Sequence, residues 1–114
     1  MILDIGCGSG ELTSKIHSIV SQIGPKGEAG KVVGLDKSED MIKAASKDSH
    51  SSSSLEFFTC DGHQLQSWLT KTENIGSFDK VFSNAALHWM IDDPSAVAKG
   101  MFDALKPGGT LAVE

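Results

Sequence analysis

Cysteine is scarce in this sequence, with Cys7 and Cys60 alone among 114 residues. That excludes a disulfide framework and points to a reducing, intracellular (cytoplasmic) setting. Positive charge is also short: ten Lys plus Arg stand against fifteen Asp plus Glu, for a formal charge of −5 and a pI of about 5.2. Without a basic stripe nothing neutralises a phosphate backbone, so nucleic acid is excluded as a partner. No apolar run approaches the ~20 residues of a membrane span, so no membrane partner is expected. Met1-Ile2-Leu3 runs into Asp4 too soon for the apolar core of a signal peptide. His17, His50 and His63 form no i, i+4 pair, and with two scattered cysteines no metal-ligand cluster emerges. No internal repeat is visible, and the length suits one domain spanning 1–114. Glycine, in contrast, is plentiful at 12 residues, and its placement is not random.

Short apolar runs alternate with amphipathic ones along the chain. Met1–Ile5 reads as a buried strand that ends at a glycine cluster. Leu12, Ile16, Ile19, Val20 and Ile23 mark one face of a helix that Gly24-Pro25 stops. Lys31–Asp36 is a second strand. Ser38 is placed to cap a helix with Glu39 and Asp40 in its first turn and Met41, Ile42, Ala44 and Ala45 inside it. The serine run Ser51–Ser54 reads as a connector. Leu55–Cys60 is strand three, Asp61-Gly62 turns the chain, and Leu65, Trp68 and Leu69 suggest a short helix before a loop from Thr70 to Ser77. Phe78–Ser83 is strand four. Asp92-Asp93-Pro94 opens a last helix with a stripe at Val97, Met101, Phe102 and Leu105, and Lys106-Pro107-Gly108-Gly109 ends it before strand five at Thr110. Strands alternating with helices predict an α/β fold, a doubly wound Rossmann-like parallel sheet in the order 3-2-1-4-5.

The candidate chemistry lies in Asp4-Ile5-Gly6-Cys7-Gly8-Ser9-Gly10-Glu11, between a predicted strand and a predicted helix. Glycines there permit positive φ and let backbone approach a ligand. A dinucleotide fingerprint needs its third glycine at position 11, where this sequence has Glu11. That carboxylate also occupies the helix start where a pyrophosphate would dock. Both points favour a ligand without phosphates, although a tight turn with no ligand uses the same residues. Asp36 ends strand two beside the loop and suits two ribose hydroxyls, or else the helix dipole alone. Asp61, ahead of Gly62, suits an exocyclic amine, or else a simple turn. Cys7 reads as a backbone contributor, because a reactive thiolate needs a cationic neighbour.

Together these residues resemble the class I S-adenosylmethionine-dependent methyltransferases. Asp4-x-Gly6-x-Gly8-x-Gly10 is similar to their first motif, and Val33-Gly34-Leu35-Asp36 with Ser38 and Met41 to their second. Asp61, Phe78–Asn84 and Leu105–Leu111 match later segments in order. The resemblance implies S-adenosylmethionine as cofactor. Gly6, Gly8 and Gly10 then wrap its methionine part, with Asp4 reaching the amino group through water. Asp36 holds the ribose, Met41 packs on the adenine, Asp61 with Gly62 meets the adenine amine, and Asn84 offers a carbonyl to the methionine end. Ser83-Asn84-Ala85-Ala86-Leu87-His88-Trp89 and Leu111–Glu114 are similar to the trans-aconitate and juvenile-hormone-acid group, which implies a small-molecule carboxylic acid as methyl acceptor. His88 and Trp89 are the candidate substrate residues; a satisfied surface histidine and a core tryptophan are the plainer readings.

The implied reaction is in-line displacement of a sulfonium methyl, for which an ionised carboxylate needs no general base, so no catalytic residue is assigned. A nicotinamide oxidoreductase, an aminopropyltransferase and a non-catalytic cofactor-binding module remain open. The resemblance also implies a helix before residue 1 and strands after strand five. The sequence is therefore expected to be part of a longer enzyme, truncated at both ends and inactive by itself.

Overall fold

The computed structural model describes residues 1–23, 30–48, 54–83 and 93–113. Five strands, β1 (Ile2–Ile5), β2 (Val32–Asp36), β3 (Leu55–Thr59), β4 (Phe78–Ser83) and β5 (Leu105–Val113), form one sheet in the order β3-β2-β1-β4-β5. Every pairing is parallel, with Asp4 opposite both Gly34 and Phe82. The helices are α1 (Glu11–Ile23), α2 (Glu39–Asp48), α3 (Leu65–Lys71) and α4 (Pro94–Ala104), with a 3-10 turn at Gly62–Gln64. The predicted sheet order and helix alternation are borne out. Chain direction across the sheet reverses between β1 and β4, which places a crevice at the carboxyl ends of those strands.

Strand periodicity divides the core. Leu3, Ile5, Val33, Leu35 and Val81 pack with Leu65 and Leu69 of α3 and with Val97, Met101 and Ala104 of α4 in one apolar cluster. On the other face α1 and α2 pack on β2 and β3, around Gly34, Phe57 and Ala45. Each fully buried Leu or Phe in the first cluster contributes roughly 1.5–3 kcal/mol.

Three expectations are corrected. In α1 the sheet-facing side runs through Thr13, Ile16, His17 and Val20, while Leu12 and Ile19 are 41% and 57% exposed. The roll of the helix follows a buried bond from the Thr13 hydroxyl to Asp4 and the close approach of Val20 to Gly30, which outweigh the two aliphatic side chains. In α4 Phe102 is 76% exposed and Gly100 is buried in its stead. A Cβ at Gly100 would stand 2.9 Å from Leu65, so the helix meets α3 through its glycine. Finally, β5 begins at Leu105 rather than Thr110. Phe78 pairs with Leu105 and Lys80 with Thr110, and Lys106–Gly109 bulges from the ladder between them, with Gly108 at φ +80. The last helix does start as expected, with the Asp93 carboxylate accepting from the Ala96 N–H and Pro94 at its first position.

Candidate functional site

Asp4 and Ile5 end β1, and the chain then turns through Gly6, Gly8 and Gly10 at φ 74, 59 and 80, conformations that side chains resist. The Gly6 and Cys7 amides both donate to the Leu35 carbonyl, at 2.7 and 2.9 Å, which straps the loop to the end of β2. One residue further, the Asp36 carboxylate accepts from the Gly8 N–H through Oδ2 and from the Ser38 N–H through Oδ1, each at 2.9 Å. Asp36 therefore joins the glycine loop to the start of α2. A carboxylate accepts about four hydrogen bonds, so both oxygens keep capacity for a pair of hydroxyls.

Gly8 and Gly10 of the loop serve different ends. A Cβ at Gly10 would lie 2.8 Å from the Phe57 ring and 2.9 Å from Ala45, and one at Gly34 would lie 2.7 Å from the same ring. Phe57 is the floor on which the loop rests, a role the sequence reading missed. A Cβ at Gly8 would meet nothing within 4 Å. Gly8 borders open space, and there the backbone is available to a ligand.

Asp4 is buried, and the Thr13 hydroxyl donates to its Oδ2 at 2.7 Å. Burial raises its pKa from 3.8 to about 6; the Thr13 bond opposes the shift and the nearby Asp36 charge adds to it. Thr13 also escaped the sequence reading, since the flanking Leu12 carried the helical pattern. Burial, then the Asp4 and Asp36 charges, push the Cys7 thiol up, so it stays protonated.

The Cys60 N–H donates to the Asp36 carbonyl at 2.8 Å and brings the end of β3 alongside. Asp61 caps the turn that follows, its Oδ1 accepting from the His63 N–H at 3.0 Å and from the His63 ring at 2.8 Å. The backbone bond, with the ring bond, the ring's charge and Lys37, holds the Asp61 carboxyl below its usual range against the effect of burial. Gly62 is buried beneath it. Met41, on the first turn of α2, is 46% exposed, and its N–H donates to the Ser38 hydroxyl. Asp4, the glycine loop, Asp36, Met41, Asp61 and Gly62 thus all belong to the carboxyl edge of β1, β2 and β3. Across the switch point Ser83 is buried and donates to the Ile5 carbonyl at 2.9 Å, tying β4 to β1. Asn84, His88 and Trp89 lie outside the described residues.

This donor set fits a nucleoside that carries an amine and an ammonium group. Carboxylates accept from hydroxyls, amines and ammonium groups, whereas a pyrophosphate would dock at the start of α1, where Glu11 places a negative charge in the first turn. Among the described residues no group of three metal-ligating side chains assembles, and no helix is long and apolar enough to cross a membrane.

Comparison with known proteins agrees. The family described as "Methyltransferase domain" matches residues 1–114. An uncharacterised methyltransferase of Schizosaccharomyces pombe is 38% identical over 117 residues, covering 99% of this chain and 38% of the relative. A trans-aconitate 2-methyltransferase of Deinococcus radiodurans is 34% identical over 113 residues, covering 99% and 36%. Among solved structures, an S-adenosylmethionine-dependent methyltransferase from Mesorhizobium loti superposes with a TM-score of 0.76 at 28% identity, covering 96% of this chain and 43% of that one. The chain spans less than two fifths of the length of these two curated relatives. A parallel sheet in this order, a carboxylate at each of three adjacent strand ends and a family match over all 114 residues lead to one assignment: the chain belongs to the methyltransferases whose cofactor is S-adenosylmethionine.

Proposed function

We propose that this chain is the cofactor-binding part of an enzyme that methylates a small carboxylic acid. The observation that carries the cofactor half of this reading is the double engagement of Asp36, which holds the Gly8 and Ser38 amides while both its oxygens can still accept. In this reading Asp36 receives the ribose hydroxyls and exposed Met41 covers one adenine face. Asp61 takes the adenine amine above Gly62. Gly6, Cys7, Gly8 and Gly10 bring backbone against the amino-acid end, with the ammonium group answered by Asp4. Asn84 adds a carbonyl to that end, and His88 with Trp89 contacts the acceptor.

When bound, S-adenosylmethionine supplies a sulfonium methyl activated for in-line displacement. The protein's own part is to align and desolvate, which provides roughly 7–11 kcal/mol of barrier lowering in well-oriented reactions. A carboxylate nucleophile is ionised at neutral pH and needs no base. The acid class is supported by the Deinococcus radiodurans relative, whose name specifies trans-aconitate.

Titration calorimetry with S-adenosylhomocysteine should show binding, and NAD should show none. Incubation of the full-length enzyme with a methyl-labelled donor and a panel of small carboxylic acids, trans-aconitate included, should give a product that releases labelled methanol in mild alkali, as a methyl ester does. Binding of NAD would remove the cofactor assignment. A labelled product that survives alkali would replace the carboxylate acceptor with a hydroxyl, thiol, nitrogen or carbon one.

A further inference from the structure

Asp61 and His63 form the one acid–imidazole pair among the described residues, and its geometry exceeds what capping a turn requires. The His63 backbone N–H alone, 3.0 Å from Asp61 Oδ1, satisfies the cap. The ring adds a second donor to the same oxygen, Nδ1 at 2.8 Å. Two donors on Oδ1 fix the rotation of the carboxylate and leave Oδ2 with a set direction. The ring is itself held in an unusual way: its side chain is 21% exposed, and Nε2 is buried with no partner among the described residues. A buried ring nitrogen without a partner is unfavourable, and a turn that needed only its cap would be better served by an apolar side chain.

We propose that His63 is a positioning residue for purine recognition: its Nδ1–H locks the Asp61 carboxylate so that Oδ2 accepts the exocyclic amine of adenine and rejects a carbonyl at that position. This rests on the assignment of Asp61 to the adenine amine. A carboxylate accepts hydrogen bonds and cannot donate one, so it favours an amine over a carbonyl only while it is held facing the base. Once free to rotate, it turns to solvent and the discrimination falls. Asp61 is 46% exposed, so solvent is within its reach.

The test compares the affinity of S-adenosylhomocysteine with that of its inosine counterpart, in which a carbonyl replaces the amine, by calorimetry, with Tm recorded for each variant. Wild type should prefer the adenine ligand by about a hundredfold or more. His63→Leu, which keeps bulk and loses the donor, should shrink that ratio about tenfold. His63→Asn carries an amide nitrogen near the position of Nδ1 and should restore the ratio to within about threefold. His63→Gln reaches the position of Nε2 instead and should behave like His63→Leu, which keeps the test open if the leucine variant does not fold. A variant set that changes Tm while every ratio stays at wild type would make His63 a plain turn residue and overturn the proposal. Asp61→Asn separates the two layers of the argument. If it collapses the preference and His63→Gln does not, only the role of His63 is lost. If Asp61→Asn keeps the wild-type ratio, the assignment of Asp61 falls with it.

Discussion

The two faces of the sheet are built on opposite terms. Under α3 and α4 lies one continuous apolar cluster, from Leu3 and Val33 to Leu69, Phe78 and Met101. Under α1 and α2 the same strands present Gly34 and a buried aspartate, Asp4, held by Thr13 and neighboured by glycine-filled approaches to Phe57. The first face buries hydrocarbon, which is the main source of folding free energy. The second gives up part of that burial for backbone approach and oriented carboxylates. Stability and ligand recognition are therefore separated across about one sheet thickness, and substitutions on the two faces should have distinct signatures.

The largest effect belongs to the strand ends. Asp36→Ala removes the acceptor for the Gly8 and Ser38 amides and, in the proposed site, for the ribose hydroxyls. Charged hydrogen bonds contribute roughly 1.5–3 kcal/mol each, so losing two ribose bonds should weaken S-adenosylhomocysteine by about a hundredfold or more in calorimetry. An unchanged dissociation constant would break the comparison. Its counterpart is Leu69→Ala beneath α3, where the side chain is fully buried. A cavity there should lower unfolding free energy by roughly 2–5 kcal/mol in urea titration, with ligand affinity at the wild-type value once the protein is folded.

A smaller effect, and one confined to a pH window, comes from Asp4. Its folded pKa is about 6 against an ordinary 3.8, so between those values the folded chain holds a proton that the unfolded chain has released. Stability from this group is fully present below about pH 4 and is lost as pH rises through 6. The full loss is about 3 kcal/mol, taking 1.36 kcal/mol per unit. Asp4→Asn carries no titrating proton, so the difference in unfolding free energy between variant and wild type should move in the variant's favour between pH 4 and 7. A difference that stays flat over that range would mean the carboxylate is not desolvated. If Asp4 answers an ammonium group, the same variant should lose cofactor affinity while its stability relative to wild type rises from pH 4 to pH 7.

The strand ends were legible because a parallel strand covered on both faces is an apolar run closed by its first polar residue, as at Asp36. Alternation and handedness leave few parallel topologies, and the doubly wound order is one of them. What stayed hidden was non-local. Nothing near Gly10 or Gly34 announces that Phe57 fills the space each leaves open. Thr13 meets Asp4 only when α1 folds back over β1, and the His63 ring meets Asp61 only once the turn after β3 has formed. The start of β5 was misplaced for a different reason: Lys106-Pro107-Gly108-Gly109 has the composition of a turn, and the sheet absorbs it as a bulge.

The smallest expected effect tests how far one helical pattern can mislead. Val97, Met101, Phe102 and Leu105 form a plausible stripe in the sequence, yet Met101 is 2% exposed and Phe102 is 76% exposed. The contact between Gly100 and Leu65 sets the roll of α4, since a helix that approaches its neighbour through a glycine cannot also turn the adjacent Phe102 ring inward. Phe102→Gln replaces an exposed aromatic by a residue with good helix propensity, and the unfolding free energy should stay within ~0.5 kcal/mol of wild type. Met101→Ala, one residue away, should cost roughly 2–5 kcal/mol. Neither should change cofactor affinity, because both belong to the face that builds the core. A loss above about 1 kcal/mol at Phe102 in urea titration would mean that its ring is covered and that α4 is rolled toward the sequence-based stripe. Gly100→Ala would then cost little, where the present packing predicts a clash at 2.9 Å.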